Sequence, residues 1–171
     1  MLLRTRLPAV LPRLRRFARS LAHQVADADD LVQVTLERAL RAGAQWRAPT
    51  QASGEEVEAS LRGWMFGIMK NAWIDGRRAN RRANALFAPA DAGDGVGDAV
   101  QAGIEARLSI EAALSRLPED QRLAVSLVLV EGLSYAEAAA IVDVPVGTLT
   151  SRLARGRLRL VELLGGAEGP A

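Results

Sequence analysis

Residues 88–103 divide this chain in two. They open Ala88-Pro89-Ala90-Asp91-Ala92-Gly93-Asp94-Gly95-Val96-Gly97-Asp98 and hold no lysine or arginine. A stretch so small, acidic and glycine-rich has too little apolar surface to offset the entropy of ordering, and reads as a flexible linker. Its G-x-G-x-G is no phosphate loop: no strand precedes it, no Gly-Lys-Ser/Thr follows, and the flanking aspartates repel phosphate. The aspartate spacing does not fit a calcium loop either. At roughly 100–200 residues per domain, the 171 residues then resolve into two small units, 1–87 and 104–171, joined by 88–103.

Both units read as helical. Alanine, leucine, arginine and glutamate dominate and alternating β-branched runs are scarce. The expected helices are 9–24, 27–41 with Asp27 as N-cap, 59–82, 104–116, 119–131 with Pro118 in its first position, 134–142 and 146–164. Little is expected before residue 9, and Arg47 to Glu58, with Pro49 and Gly54, is expected as a long surface loop. The predicted class is all-α, with a helix-turn-helix in the C-terminal unit.

Residue content removes whole classes of chemistry. Cysteine is absent and His23 is the one histidine, so disulfides, thiol nucleophiles and Cys- or His-clustered metal sites drop out. No convergent carboxylate pair replaces them, so an enzyme is not expected. No run of about 18 apolar residues exists to cross a membrane. Arginines at 4, 13, 15 and 16 leave no apolar segment for a secretory signal, so a cytoplasmic protein is expected. Net charge is only +2, yet the pI is near 9.9, and Lys70 is the only lysine. An arginine bias follows from GC-rich coding as readily as from phosphate binding, so position has to decide.

Three constellations carry information. In the 27–41 helix, Leu31, Val32, Thr35, Leu36 and Ala39 share one side, while Asp30, Gln33, Val34, Glu37 and Arg41 form an opposite stripe. Such a stripe serves a solvated face or a docking surface for a basic protein. In the helix from Leu61, Leu61, Trp64, Met65, Ile68 and Ala72 face inward; Lys70, Asn71, Arg77, Arg78, Arg81 and Arg82 point elsewhere. Cations at that density are a footprint for phosphate. Trp46 and Trp73, if exposed, would add stacking faces for single-stranded bases beside an edge-reading asparagine. In the C-terminal unit, Ser134-Tyr135-Ala136-Glu137 is a capping box, and Asp143-Val144-Pro145 ends a short helix before a basic one begins. There Val146, Leu149, Leu153, Gly156 and Leu160 face in; Gly147, Ser151, Ala154 and Arg155 face out, with Thr150 and Arg152 flanking. Small polar groups near that helix start fit a major groove.

Taken together these segments resemble a known family. Asp27-Ala28-Asp29-Asp30-Leu31-Val32-Gln33-Val34-Thr35-Leu36-Glu37-Arg38-Ala39 and Leu61-Arg62-Gly63-Trp64-Met65-Phe66-Gly67-Ile68-Met69-Lys70-Asn71-Ala72-Trp73-Ile74-Asp75-Gly76-Arg77-Arg78 resemble region two of extracytoplasmic-function (ECF) sigma factors. Leu117-Pro118-Glu119-Asp120-Gln121-Arg122, Glu131 to Glu137, and Val144 to Arg152 resemble region four. The resemblance implies a dissociable subunit of bacterial RNA polymerase, without cofactor, metal or catalytic residues of its own. Asp30 and Gln33, with Val34 and Glu37, would contact the clamp helices of core polymerase. Asn71, with Lys70 beside it and Trp46 at the loop edge, would hold a flipped base of the minus-ten element. Arg77, Arg78, Arg81 and Arg82 would follow the DNA backbone. Thr148, Thr150, Ser151, Arg152 and Arg155 would read or grip the minus-thirty-five duplex. An anti-sigma factor is an expected partner. The alternative is a sigma-like decoy that binds an anti-sigma factor without recognising promoters.

Overall fold

The computed structural model describes residues 2–87 and 110–165, and all regular structure among them is helical. The expected linker, 88–103, lies outside the described residues, as does the first part of the helix expected from 104.

The N-terminal helices form an antiparallel bundle: α1 (Leu2–Leu21), α2 (Val25–Arg41) and α3 (Gly54–Phe87). Leu14, Phe17 and Leu21 of α1 meet Leu31, Val32 and Ala39 of α2 and Leu61, Met65, Phe66 and Met69 of α3, all buried. The rings of Phe17 and Phe66 lie 4.7 Å apart at 45°, the tilted contact aromatic quadrupoles favour.

Three boundaries differ from expectation. Helix α1 begins at Leu2 rather than residue 9 and runs through Pro8 and Pro12. Both prolines are exposed, and their four-residue spacing puts them on one outer face. The two missing N–H donors therefore fall on the solvent side, where water satisfies the freed carbonyls, while buried Leu3 and Val10 hold the inner face. Helix α2 is capped at Gln24, with no side-chain cap bond, and Asp27 sits in its first turn. The expected loop from Arg47 to Glu58 is shorter than predicted, because α3 starts at Gly54. A second capping box explains it: the Glu56 N–H donates to Ser53 Oγ at 3.3 Å and the Ser53 N–H to Glu56 Oε2 at 2.7 Å. At 1.5 Å per residue, α3 is about 50 Å long, and residues 78–86 at its end are exposed.

The C-terminal helices are α4 (Ile110–Ser115), α5 (Glu119–Val125), α6 (Tyr135–Val142) and α7 (Val146–Gly165). Pro118 is the N-cap of α5, one position earlier than expected. The helix expected to run to 131 changes pitch: Ser126–Val130 is a π-helical turn, closed by the Glu131 N–H on the Ser126 carbonyl at 3.0 Å. Gly132 follows at φ 69°, and the Leu133 N–H reaches back to the Leu127 carbonyl at 3.1 Å. This is a Schellman ending, in which the left-handed residue is best a glycine. Helix α5 crosses α7 at Gly156, where an added Cβ would stand 2.8 Å from Val125 Cγ2.

The two groups of helices pack together, α1 against α4 and the π turn, and α3 against α6. Their buried side chains form one contiguous cluster.

Candidate nucleic-acid interface

The helix-turn-helix is built as the sequence suggests. Ser134 Oγ accepts the Glu137 N–H at 3.2 Å, and Glu137 Oε2 accepts the Ser134 N–H at 2.8 Å. Asp143 ends α6 in the left-handed conformation (φ 59°, ψ 54°), returning its N–H to the Ala139 and Ala140 carbonyls. On α7, Leu149, Leu153 and Gly156 are buried. Val146, expected inside, is 47% exposed, and Leu160 is half-buried. The outward face holds Gly147, Thr148, Thr150, Ser151, Ala154 and Arg155, all exposed. The hydroxyls of Thr150 and Ser151 donate to the Val146 and Gly147 carbonyls one turn back, at 2.8 and 3.0 Å, which leaves their oxygen lone pairs outward. Arg152 is held differently, its Nε 3.3 Å from Asp120 Oδ2 of α5.

The hydrogen bonds from Ser134 hold the Glu137 carboxyl below its ordinary value. The ionised box therefore stabilises α6 fully above the unfolded value, about 4.3, and this contribution is lost as pH falls through the lowered folded value. Ser134→Ala should cost about 1 kcal/mol near neutral pH. The gap in urea midpoint between wild type and variant should narrow below about pH 4. A gap that stays constant with pH would contradict this account.

On α2, Asp30, Gln33, Val34 and Glu37 are all exposed, with Gln33 Nε2 3.3 Å from Glu37 Oε1. The stripe borders two hollows. Asp30 and Val34 edge one shared with Trp73, Arg77 and Arg122; Gln33 and Glu37 edge another shared with Leu11 and Arg15 of α1. Leu40, 46% exposed, lines the second hollow. It stands seven residues after Gln33, a spacing that would have found it.

On α3, exposed Asn71 and half-buried Lys70 line a cleft of about 750 Å³ together with Trp64 and Ile68. Trp46 is half-buried, its ring 6.5 Å from that of Trp64. It therefore supports the cleft from behind Trp64 rather than at its rim. Trp73 is not an exposed stacking face: it is 7% exposed, with the Arg77 and Arg122 guanidinium carbons 5.3 and 5.7 Å from its ring centre. Two cations over one indole bury it as a platform for arginines. Arg78 and Arg82 are exposed. Arg77 Nε lies 2.5 Å from Glu119 Oε1 of α5, and Arg81 bonds the same oxygen.

Comparison with known proteins agrees with both halves of this geometry. Residues 7–70 match the family model "Sigma2 domain of PhyR" and residues 107–160 match "Sigma-70, region 4". The ECF RNA polymerase sigma factor EcfG of Rhodopseudomonas palustris is 39% identical over 165 residues, spanning 95% of this chain and 84% of the relative. The chain belongs to the ECF RNA polymerase sigma factors. SigM of Mycobacterium tuberculosis is 35% identical over 152 residues, covering 89% of this chain and 71% of its own. Among solved structures, sigma factor RpoE of Bartonella quintana, crystallised with the anti-sigma factor NepR, superposes with a TM-score of 0.71. It is 32% identical, over 95% of this chain and 96% of that one. The PhyRSL–NepR complex from Sphingomonas sp. Fr1 shares the fold, with a TM-score of 0.61 at 24% identity over 100% of this chain and 94% of that one. As a sigma factor the chain binds core RNA polymerase and directs it to promoters. Among the described residues no helix is long and apolar enough to cross a membrane.

Proposed function

We propose that residues 1–87 hold core polymerase and the minus-ten element, and that residues 104–171 read the minus-thirty-five element. Asp30, Gln33, Val34 and Glu37 dock on core. Asn71, with Lys70 and the Trp46-backed Trp64, captures a flipped base. Arg77, Arg78, Arg81 and Arg82 track the backbone. Thr148, Thr150, Ser151 and Arg155 face the upstream duplex, with Arg152 at its edge. No residue has a catalytic role, and the protein acts in the cytoplasm, with core polymerase. The reading is carried by α3, where a base-sized cleft at Asn71 is followed along the same helix by a ladder of arginines.

An anti-sigma factor is part of the proposal, because RpoE of Bartonella quintana and CnrH, 32% and 26% identical to this chain, were solved with NepR and with the cytosolic domain of CnrY. The match of residues 7–70 to the PhyR model favours a second reading, a decoy that binds the anti-sigma factor and no promoter. Run-off transcription with core polymerase separates the two, since only a promoter factor supports it.

The division of labour on α3 has its own test. Arg78→Ala with Arg82→Ala should weaken holoenzyme binding to all promoters alike. It should also reduce the salt slope by roughly 0.7–0.9 per lost phosphate contact. Asn71→Ala should leave that slope unchanged and lose about 1–3 kcal/mol of discrimination at one minus-ten position. Equal loss at every promoter from Asn71→Ala would remove the base-reading role. An unchanged slope in the arginine variant would remove the backbone role.

A further inference from the structure

The face of α3 that carries the cleft and the arginines is not open. Glu119 of α5 accepts hydrogen bonds from both Arg77 and Arg81, the positions a DNA phosphate would occupy. Across the cleft from Asn71 and Lys70 stand Leu133, Glu137, Ile141 and Asp143, from α6 and its flanks. The charge of Arg62, on α3, helps to hold the Glu137 carboxyl in its ionised form. Carboxylates of the C-terminal helices thus lie along the side of α3 that offers cations.

A second contact fastens this arrangement. The side chain of Glu131 is fully buried, and Arg16 of α1 grips it with two nearly parallel bonds, Nε at 2.8 Å and Nη2 at 3.0 Å. Arg13 Nη1 adds a 3.5 Å bond to the Glu131 carbonyl. Fork geometry of this kind fixes orientation. Its net stabilisation is small, because on separation both ions regain water. A contact that specifies one arrangement but can be released at low cost suits a latch. By contrast, the outward face of α7 is exposed in the same structure.

We propose that the closed chain is autoinhibited: Glu119 stands in for DNA phosphate on Arg77 and Arg81, and the Arg16–Glu131 pair holds α6 over the Asn71 cleft. The inference rests on the reading of α3 as the minus-ten surface. The closed chain then discriminates between its two DNA targets. It denies single-stranded minus-ten DNA its site and leaves the duplex-facing helix free. Core polymerase, by separating the two groups of helices, exposes α3.

The test compares the full-length free chain with its Glu119→Gln and Glu119→Gln/Glu131→Gln variants. The absence of cysteine lets a dye pair be placed at Arg41→Cys and Leu158→Cys, on exposed positions of α2 and α7. Two probes are used: a non-template minus-ten oligonucleotide and a minus-thirty-five duplex, both from a promoter mapped by run-off transcription. The double variant should show reduced energy transfer and bind the oligonucleotide at least tenfold more tightly than wild type, with duplex binding within twofold. Glu119→Gln alone disturbs no fully buried side chain and should give at least a threefold gain, so the test survives if the double variant folds poorly. Unchanged energy transfer in a folded double variant would overturn the latch. Opening without a gain in oligonucleotide binding would overturn occlusion, and an equal gain for the duplex would overturn selectivity. Wild-type holoenzyme is the control: its failure to bind the oligonucleotide would refute the promoter reading of α3 instead.

Discussion

Arg122→Met should lower the unfolding free energy by about 3–5 kcal/mol, the range for removing one partner of a buried charged contact. Against a typical total of about 5–15 kcal/mol, that is enough to leave part of the chain unfolded at 37 °C. Arg122 is 3% exposed, yet it is charged. Its Nη1 donates to the Leu21 carbonyl at 2.9 Å, and its Nη2 to the Leu117 carbonyl at 3.2 Å and to that of Ser115. Leu21 ends α1 and Ser115 ends α4, so one guanidinium caps two helix C-termini, where carbonyls lack partners and the helix dipole is negative. Burial, and the neighbouring charge of Arg77, push Arg122 down to about 10 against the pull of Glu119. It therefore remains charged at neutral pH. Methionine keeps the stem's bulk but leaves those carbonyls unpaired inside the protein. Lysine should restore less than half of the loss, because a point charge cannot span three acceptors in fork geometry. Urea unfolding of the three proteins measures this. A loss below about 1 kcal/mol in Arg122→Met would mean that water replaces the guanidinium.

Asp30→Ala with Gln33→Ala should reduce affinity for core polymerase more than a hundredfold while leaving the thermal midpoint nearly unchanged. Both side chains are exposed and on the outer stripe of α2, so the free protein loses little. Hydrogen bonds to charged groups contribute about 1.5–3 kcal/mol each, and two such losses exceed the 2.7 kcal/mol that corresponds to a hundredfold. Alanine suits Asp30 better than charge reversal. Asp30 borders the hollow that also holds Arg77 and Arg122, where a third guanidinium would disturb the fold as well as the interface. Retained binding to immobilised core by the double variant would remove α2 from the docking surface.

Much of this was legible in the sequence where local rules and burial agree. The Ser134–Glu137 box, the short α6 and the inner residues of α2 follow from spacing alone. Local signals failed where packing or a competing cap decided. Pro8 looked like a boundary because proline lacks a donor, yet its exposed position makes that loss harmless. Ser53 and Glu56 form a capping box of the same type as Ser134 and Glu137, hidden by the polar run around them. The amphipathic pattern of α3 showed which residues leave the core, but not that Trp73 would be covered by Arg122, a residue 49 positions further along. Nor could spacing pair Arg16 with Glu131 or Arg77 with Glu119. Those contacts depend on how separate helices meet, which no local periodicity encodes.

The π turn at Ser126–Val130 acts as a phase shifter. An α-helix rotates by about 100° per residue, and a π turn takes in one residue more than the α-period would, so side chains beyond it point to a different compass bearing. Before the turn, Leu123 and Val125 are aimed at the C-terminal core; after it, Glu131 is delivered to Arg16 of α1. One continuous segment thereby faces two neighbours that lie in different directions. Whether Glu131 meets α1 is accordingly set by a residue count between two fixed points, and a one-residue indel there would re-aim the carboxylate without altering a single charge.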